Sequence, residues 1–142
     1  RSFAVADTVF VAAGPASVGV IEAAAESKKY VIGVDSDQAE AYAGKPEQEY
    51  IISSAIKNVG ESLYLSVEKA AEDKLPFGEA EVLGLKDGVV GIAENDIYKK
   101  EVPEDVQKKV EDAKQDILGG KVTVDTAYGM EESKLKSIIS GE

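Results

Sequence analysis

TVFVAAGPASVGVIEAAAESKKYVIGVDSD, residues Thr8 to Asp37, is the stretch that decides the fold. Val9-Phe10-Val11 is a short apolar run of β-formers, and Gly14 stops it. From Ala16 to Glu26 the apolar residues Val20, Ile21, Ala24 and Ala25 recur at the three-to-four spacing of a helix face. Tyr30 to Val34 is a second, near-continuous apolar run, with Asp35 at its carboxyl end. Strand, glycine loop, helix and strand in that order make a βαβ unit, and an unbroken apolar second strand fits a parallel sheet. In such sheets ligands bind beyond the carboxyl ends of the strands, where both Gly14 and Asp35 fall. A small-molecule site is therefore expected there, on an α/β fold with a mainly parallel sheet and helices on both faces.

The rest of the chain is read outward from this unit. Tyr50-Ile51-Ile52 is a third apolar run, and Ser53-Ser54 are expected to cap a helix starting near Ala55, with Val59, Leu63, Val67, Ala70 and Ala71 as its buried stripe. That reading puts Lys57 in a first helical turn, where the helix dipole disfavours a cation. Ala80–Leu85 and Val89–Ala93 read as two strands joined through Lys86-Asp87-Gly88, whose Asp-Gly pair suits a hairpin. Pro103 marks a helix start, Val106, Val110, Ala113 and Ile117 its apolar stripe, and Gly119-Gly120 its end. Lys121–Val124 reads as a last short strand and Glu131–Ile139 as a brief closing helix. No linker or low-complexity segment divides residues 1–142, which read as a single α/β lobe; the break in rhythm over residues 83–95 is where a chain would cross between two lobes.

Composition narrows the function. With 16 Lys and Arg against 27 acids, the net charge is −11. A field of that sign repels phosphate backbones, so nucleic acid is not an expected partner. No apolar run approaches the roughly 20 residues needed to cross a bilayer as a helix. Cysteine and histidine are both absent. Their absence removes disulfides, thiolate or Ser-His-Asp nucleophiles, and sulfur- or imidazole-ligated metal sites. Neither a catalytic residue nor a metal or cofactor is expected. The chain begins at Arg1 without Met, and reads as a segment of a longer product.

Within the βαβ unit, Gly14-Pro15-Ala16-Ser17-Val18-Gly19 lacks the Lys and Ser/Thr that a P-loop needs after its last glycine. It is one residue from a dinucleotide fingerprint, with Ala16 in place of the second glycine and Asp35 placed 21 residues after Gly14 to meet a ribose. A Rossmann-type cofactor domain of an enzyme thus stays open. Asp35-Ser36-Asp37-Gln38 reads either as a plain polar turn or as a carboxylate accepting two hydrogen bonds from vicinal hydroxyls of a sugar, a charge-assisted arrangement. Asp35 and Asp37 without a third ligand group make a weak metal signal. Lys57, beside Asn58, reads either as a solvated lysine or as an ammonium reaching sugar oxygens and pairing with Asp35. The helix Glu104–Asp116 alternates its charges like a solvated face.

Four runs in order, VFVAAGPASVGVIEAA (Val9–Ala24), YVIGVDSDQ (Tyr30–Gln38), SSAIKNVGESLYLSVEKA (Ser53–Ala70) and EVLGLKDGVVGIAEN (Glu81–Asn95), resemble the basic-membrane-protein, or PnrA-like, family of substrate-binding lipoproteins. The resemblance runs from about Asp7 to Val124, with VDSDQ and IKNVG its most specific parts. It implies the carboxyl-terminal lobe of a type I periplasmic-binding-protein fold, with the amino-terminal lobe, signal peptide and lipidated cysteine upstream of Arg1. It further implies that Asp35 binds ribose hydroxyls, that Lys57 also reaches the sugar, and that Ala13-Gly14 form the loop against which the sugar lies; Pro15 departs from the glycine of that loop. Phe3 and Phe10 are poor substitutes for the aromatic residues that sandwich the base. The implied function is binding of a purine nucleoside or related ribose-bearing ligand between two lobes, for delivery to an ABC permease from a lipid-anchored, extracytoplasmic position. A regulatory protein built on the same lobe is the other reading. Apolar surface belonging against absent segments would drive dimerisation of an isolated lobe or exchange of its tail.

Overall fold

The computed structural model of the chain describes residues 6–127 and 129–141; Phe3 lies outside them. Among the described residues four strands and six α-helices follow one another as β1 (Thr8–Phe10), α1 (Ser17–Glu26), β2 (Tyr30–Asp35), α2 (Gln38–Ala41), β3 (Ile51–Lys57), α3 (Val59–Ala71), β4 (Val90–Ile92), α4 (Asp96–Glu101), α5 (Glu104–Leu118) and α6 (Glu132–Ser140). The strands form one sheet in the order β1-β2-β3-β4. β1 pairs in parallel with β2 and β2 with β3, and β4 runs antiparallel to β3. This is the mainly parallel α/β architecture that the opening stretch dictates.

The core forms where α1 and α2 meet the sheet. Val11, Ile21, Ala24, Val31, Ala39 and Ile51 are buried together, with Val20, Tyr42 and Ile97 packed on their rim. Ile21 and Ala24 supply the inward face of α1 at helical spacing, while Val31 and Ile51 come from adjacent strands. Burial of valine and isoleucine side chains such as Val11, Ile21, Val31 and Ile51 contributes about 1.5–3 kcal/mol each, which makes this small cluster an anchor of the sheet. Tyr30 Oη donates to Glu101 at 2.8 Å and ties the start of β2 to the end of α4. That bond raises the tyrosine pKa, and it joins the Lys100 ammonium in holding the Glu101 carboxyl below its ordinary value.

Several expectations are corrected. Ser53 and Ser54 cap no helix; they lie buried inside β3. The strand continues to Lys57 because it is central, paired with β2 on one side and β4 on the other. The cap of α3 is Asn58, whose Oδ1 accepts from the Glu61 amide at 3.1 Å. Ser53 Oγ instead donates to the Ala93 carbonyl at 2.9 Å, and Ser54 Oγ accepts from the Gln38 amide at 3.1 Å. The α3 stripe is not buried either: Val59, Leu63 and Val67 are 51%, 62% and 68% exposed.

Of the two strands expected over Ala80–Ala93, only β4 forms. Lys86-Asp87-Gly88 makes no hairpin: Leu85–Asp87 is a 3₁₀ turn closed by Gly88 at φ 72°, with Asp87 Oδ2 accepting from the Gly84 amide. β4 pairs with β3, and Ala80–Leu85 pairs with no strand. The helix α4 goes unrecognised in the sequence, although Asn95 caps it by accepting from the Tyr98 amide at 2.9 Å. α5 ends before Gly119-Gly120 as expected, but its Val106, Val110 and Ala113 are exposed. Lys121–Val124 forms no strand. The chain divides into two compact units, Arg1–Gln107 and Lys108–Glu142. The sheet and the candidate site lie in the first.

Candidate functional site

The site is built from the carboxyl ends of adjacent strands. After β1 the chain makes a 3₁₀ turn, Gly14–Ala16, with Gly14 at φ 53°, a conformation that glycine adopts without steric cost. Pro15 sits at the start of that turn, where its missing amide is not needed and its fixed φ is pre-set. The Ala16 amide closes the turn onto the Ala13 carbonyl at 3.2 Å. The same turn feeds directly into α1, so GPASVG is a strand-to-helix corner.

β2 ends on Asp35, which holds φ 72°, and the Ser36 amide bonds back to the Val34 carbonyl at 3.0 Å. A positive-φ residue at the centre of such a three-residue bond is a γ-turn of the rare, strained kind. Strain of this sort costs roughly 1–3 kcal/mol for a non-glycine residue, although aspartate tolerates it better than most. The turn swings the Asp35 carboxylate toward the end of β3, where Lys57 Nζ stands 3.0 Å from its Oδ1. Lys57 is thus the last residue of a strand, not the first turn of a helix, and the dipole objection to a cation there disappears. The two side chains are 60% and 65% exposed. An ion pair this open contributes only about 0–1 kcal/mol, less than the strain of the turn that makes it. Stability therefore does not account for the arrangement.

Beside the pair lies a cavity of about 210 Å³ lined by Gly14, Ser17, Ile21, Gly33, Val34, Asp35 and Gln38. The β1–α1 corner forms one wall and the end of β2 the other. Three of the four residues singled out in the sequence thus converge: Gly14 and Asp35 line the cavity, and Lys57 is paired to Asp35. Ala13 takes part through its backbone, as the acceptor that closes the corner. Asp37 does not join them. Its Oδ1 accepts from the Ala39 amide at 3.1 Å, capping α2, and Asn95 Nδ2 donates to both of its oxygens at 3.0 and 3.1 Å. Asp35 and Asp37 are therefore engaged with different partners and do not act as a carboxylate pair. Phe10 is exposed on β1 and does not line the cavity.

Sequence reasoning missed Ser17 and Gln38 as cavity residues, although both stand inside motifs it quoted. Ser17 Oγ is a buried oxygen with no hydrogen-bond partner among the described residues. An unsatisfied buried hydroxyl costs about 1–3 kcal/mol. Ser17→Ala is expected to stabilise the ligand-free chain by about 1 kcal/mol, read as a higher urea midpoint at unchanged slope; an unmoved midpoint would mean that the hydroxyl is already satisfied.

Residues 4–125 match the family model described as ABC transporter substrate-binding protein PnrA-like. The chain belongs to this family. The PnrA-like chain is 39% identical over 108 residues to Basic membrane protein B of Borreliella afzelii, covering 73% of this chain and 30% of that protein. It is 31% identical over 132 residues to the ABC transporter nucleoside-binding protein BmpA of Lactococcus lactis subsp. cremoris, covering 83% and 36%. It spans about a third of the length of these curated relatives. Among solved structures, an ABC transporter system solute-binding protein of Aeropyrum pernix K1 superposes with a TM-score of 0.73 over 94% of this chain and 43% of that one, at 23% identity, a likeness of fold. A transcriptional activator of the comK gene from Bacillus halodurans superposes with a TM-score of 0.62 over 78% and 36%, at 28% identity. The family is one of substrate-binding proteins, and among the described residues no helix is long and apolar enough to cross a membrane.

Proposed function

We propose that this chain forms the sugar-binding half of a two-lobed receptor for a purine nucleoside or a related ribose-bearing ligand. The observation that carries the reading is the Asp35–Lys57 pair, held open to solvent at the ends of β2 and β3 beside a cavity. A fixed carboxylate accepts both hydroxyls of a cis-diol, and the neighbouring ammonium donates to the remaining sugar oxygens, each through charge-assisted bonds. In the Ala13-Gly14 corner, Gly14 supplies a wall without side-chain bulk for the sugar to lie against. Support for the ligand class comes from the relative named as nucleoside-binding. Binding requires no catalytic group, metal or cofactor. In the longer protein a second lobe closes over the base, and the loaded receptor, lipid-tethered outside the cytoplasm, delivers its ligand to an ABC permease.

A titration of the ¹⁵N-labelled chain with guanosine, adenosine, riboflavin and NAD, followed by amide NMR, tests this. Shifts centred on Gly14, Asp35 and Lys57 with the nucleosides are the expected result. Shifts confined to Gly14–Gly19 with NAD alone would instead favour a dinucleotide domain. Silence with every ligand would favour a regulatory lobe, a reading that the likeness to the Bacillus halodurans activator also prompts.

A further inference from the structure

Gln38 does more at the end of β2 than open α2. Its Nε2 donates to the Val34 carbonyl at 3.1 Å and lies 3.3 Å from Ser36 Oγ, so one side-chain amide binds both ends of the turn centred on Asp35. The Val34 carbonyl is the same acceptor that the Ser36 amide uses to close that turn. The Gln38 backbone is fixed in turn by its amide bonding to the buried Ser54 hydroxyl at 3.1 Å. The stem of Gln38 lies across Gly33: a Cβ on that glycine would fall 2.6 Å from Gln38 Cγ and 2.9 Å from Ser54 Oγ. Only a residue without a side chain at position 33 leaves Gln38 this path to the turn. Gly33, Gln38 and Ser54 therefore act together on the backbone of Asp35, which holds φ 72°.

We propose that Gln38 is a positioning residue that selects ligands bearing vicinal hydroxyls, acting through the Asp35 turn; this deepens the nucleoside reading above and rests on it. Without the latch, Asp35 relaxes to an ordinary negative φ, because a strained turn persists only where its surroundings over-determine it. Its carboxylate then leaves the position from which both hydroxyls can donate to it. Ligand contacts that do not involve Asp35 are affected less, so the loss falls chiefly on diol recognition. A purely structural Gln38 would weaken every ligand in parallel.

The test compares guanosine with 2′,3′-dideoxyguanosine, by amide NMR titration, for the wild-type chain, Gln38→Met and Gln38→Glu. Methionine keeps the bulk over Gly33 without a donor, and glutamate at neutral pH keeps the size and reverses the hydrogen-bond character. Both variants are expected to reduce the guanosine preference about tenfold, the worth of one good hydrogen bond, with dideoxyguanosine affinity falling by a much smaller factor. The Asp35 carbon shifts, read without ligand, are expected to move from positive-φ to ordinary values. An unchanged preference in both variants, or parallel loss of both ligands, would overturn the role of Gln38 alone. A wild-type chain that binds the two nucleosides equally would overturn the nucleoside reading itself and this role with it.

Discussion

Replacing Asp35 by alanine is expected to weaken guanosine binding about 100-fold or more, while the fold survives. Two hydrogen bonds from vicinal hydroxyls to an ionised carboxylate are worth roughly 1.5–3 kcal/mol each, and each 1.4 kcal/mol is about tenfold in affinity. Removing the carboxylate also leaves Lys57 without its partner at 3.0 Å, free to rotate away from the sugar. Stability should change little, because the pair is mostly exposed and worth about 0–1 kcal/mol. Alanine does lose the tolerance that aspartate has for φ 72°. Asp35→Asn is therefore the cleaner variant: it keeps that tolerance, loses the charge, and should lose most of the affinity with an unshifted melting temperature. Amide titrations and thermal melts on the three chains read both quantities. Unchanged guanosine affinity in Asp35→Asn and Asp35→Ala would take Asp35 out of the site and with it the nucleoside reading.

The largest effect on stability is expected at Ile51, in the middle of the core. Ile51 is 0% exposed and packs with Val31, Ile21 and Ala24. Ile51→Ala removes three carbons from a site walled by two strands and a helix, where collapse onto the cavity is restricted. Such substitutions cost about 2–5 kcal/mol, and a middle value lowers the melting temperature of a domain this size by about 10 °C. Ile51→Val, which deletes one methylene, should cost only about 1 kcal/mol. Urea unfolding followed by far-UV circular dichroism separates the two. Equal midpoints for wild type and Ile51→Ala would mean that β3 does not seat Ile51 in the core.

Some of this was legible residue by residue. The βαβ unit announces itself because Val31 and its neighbours are apolar without interruption while Ile21 and Ala24 keep helical spacing. A parallel pair buried around one helix is the arrangement that satisfies both patterns. The Asn58-x-x-Glu61 cap of α3 was equally present in the sequence, one turn beyond the serines that drew attention. Ser53-Ser54 misled because serine favours caps locally, whereas here a central strand binds both hydroxyls to groups distant in the sequence. Ala80–Leu85 misled for the converse reason. Its apolar alternation suits a strand, but β4 takes the position beside β3 and leaves it no strand to pair with.

The site divides along the same line. The sequence by itself determined the fold class, the net charge of −11, and the presence of Gly14 and Asp35 at or near strand ends. Residue type and spacing suffice for these because hydrophobic periodicity and strand polarity are local properties. Only the tertiary structure decided that Asp35 and Lys57 meet at 3.0 Å, that Asp37 is drawn off to Asn95, and that Gln38 crosses Gly33 to reach the Asp35 turn. Those outcomes depend on strand register and on a backbone held at positive φ, and both are set by contacts between residues far apart in the chain.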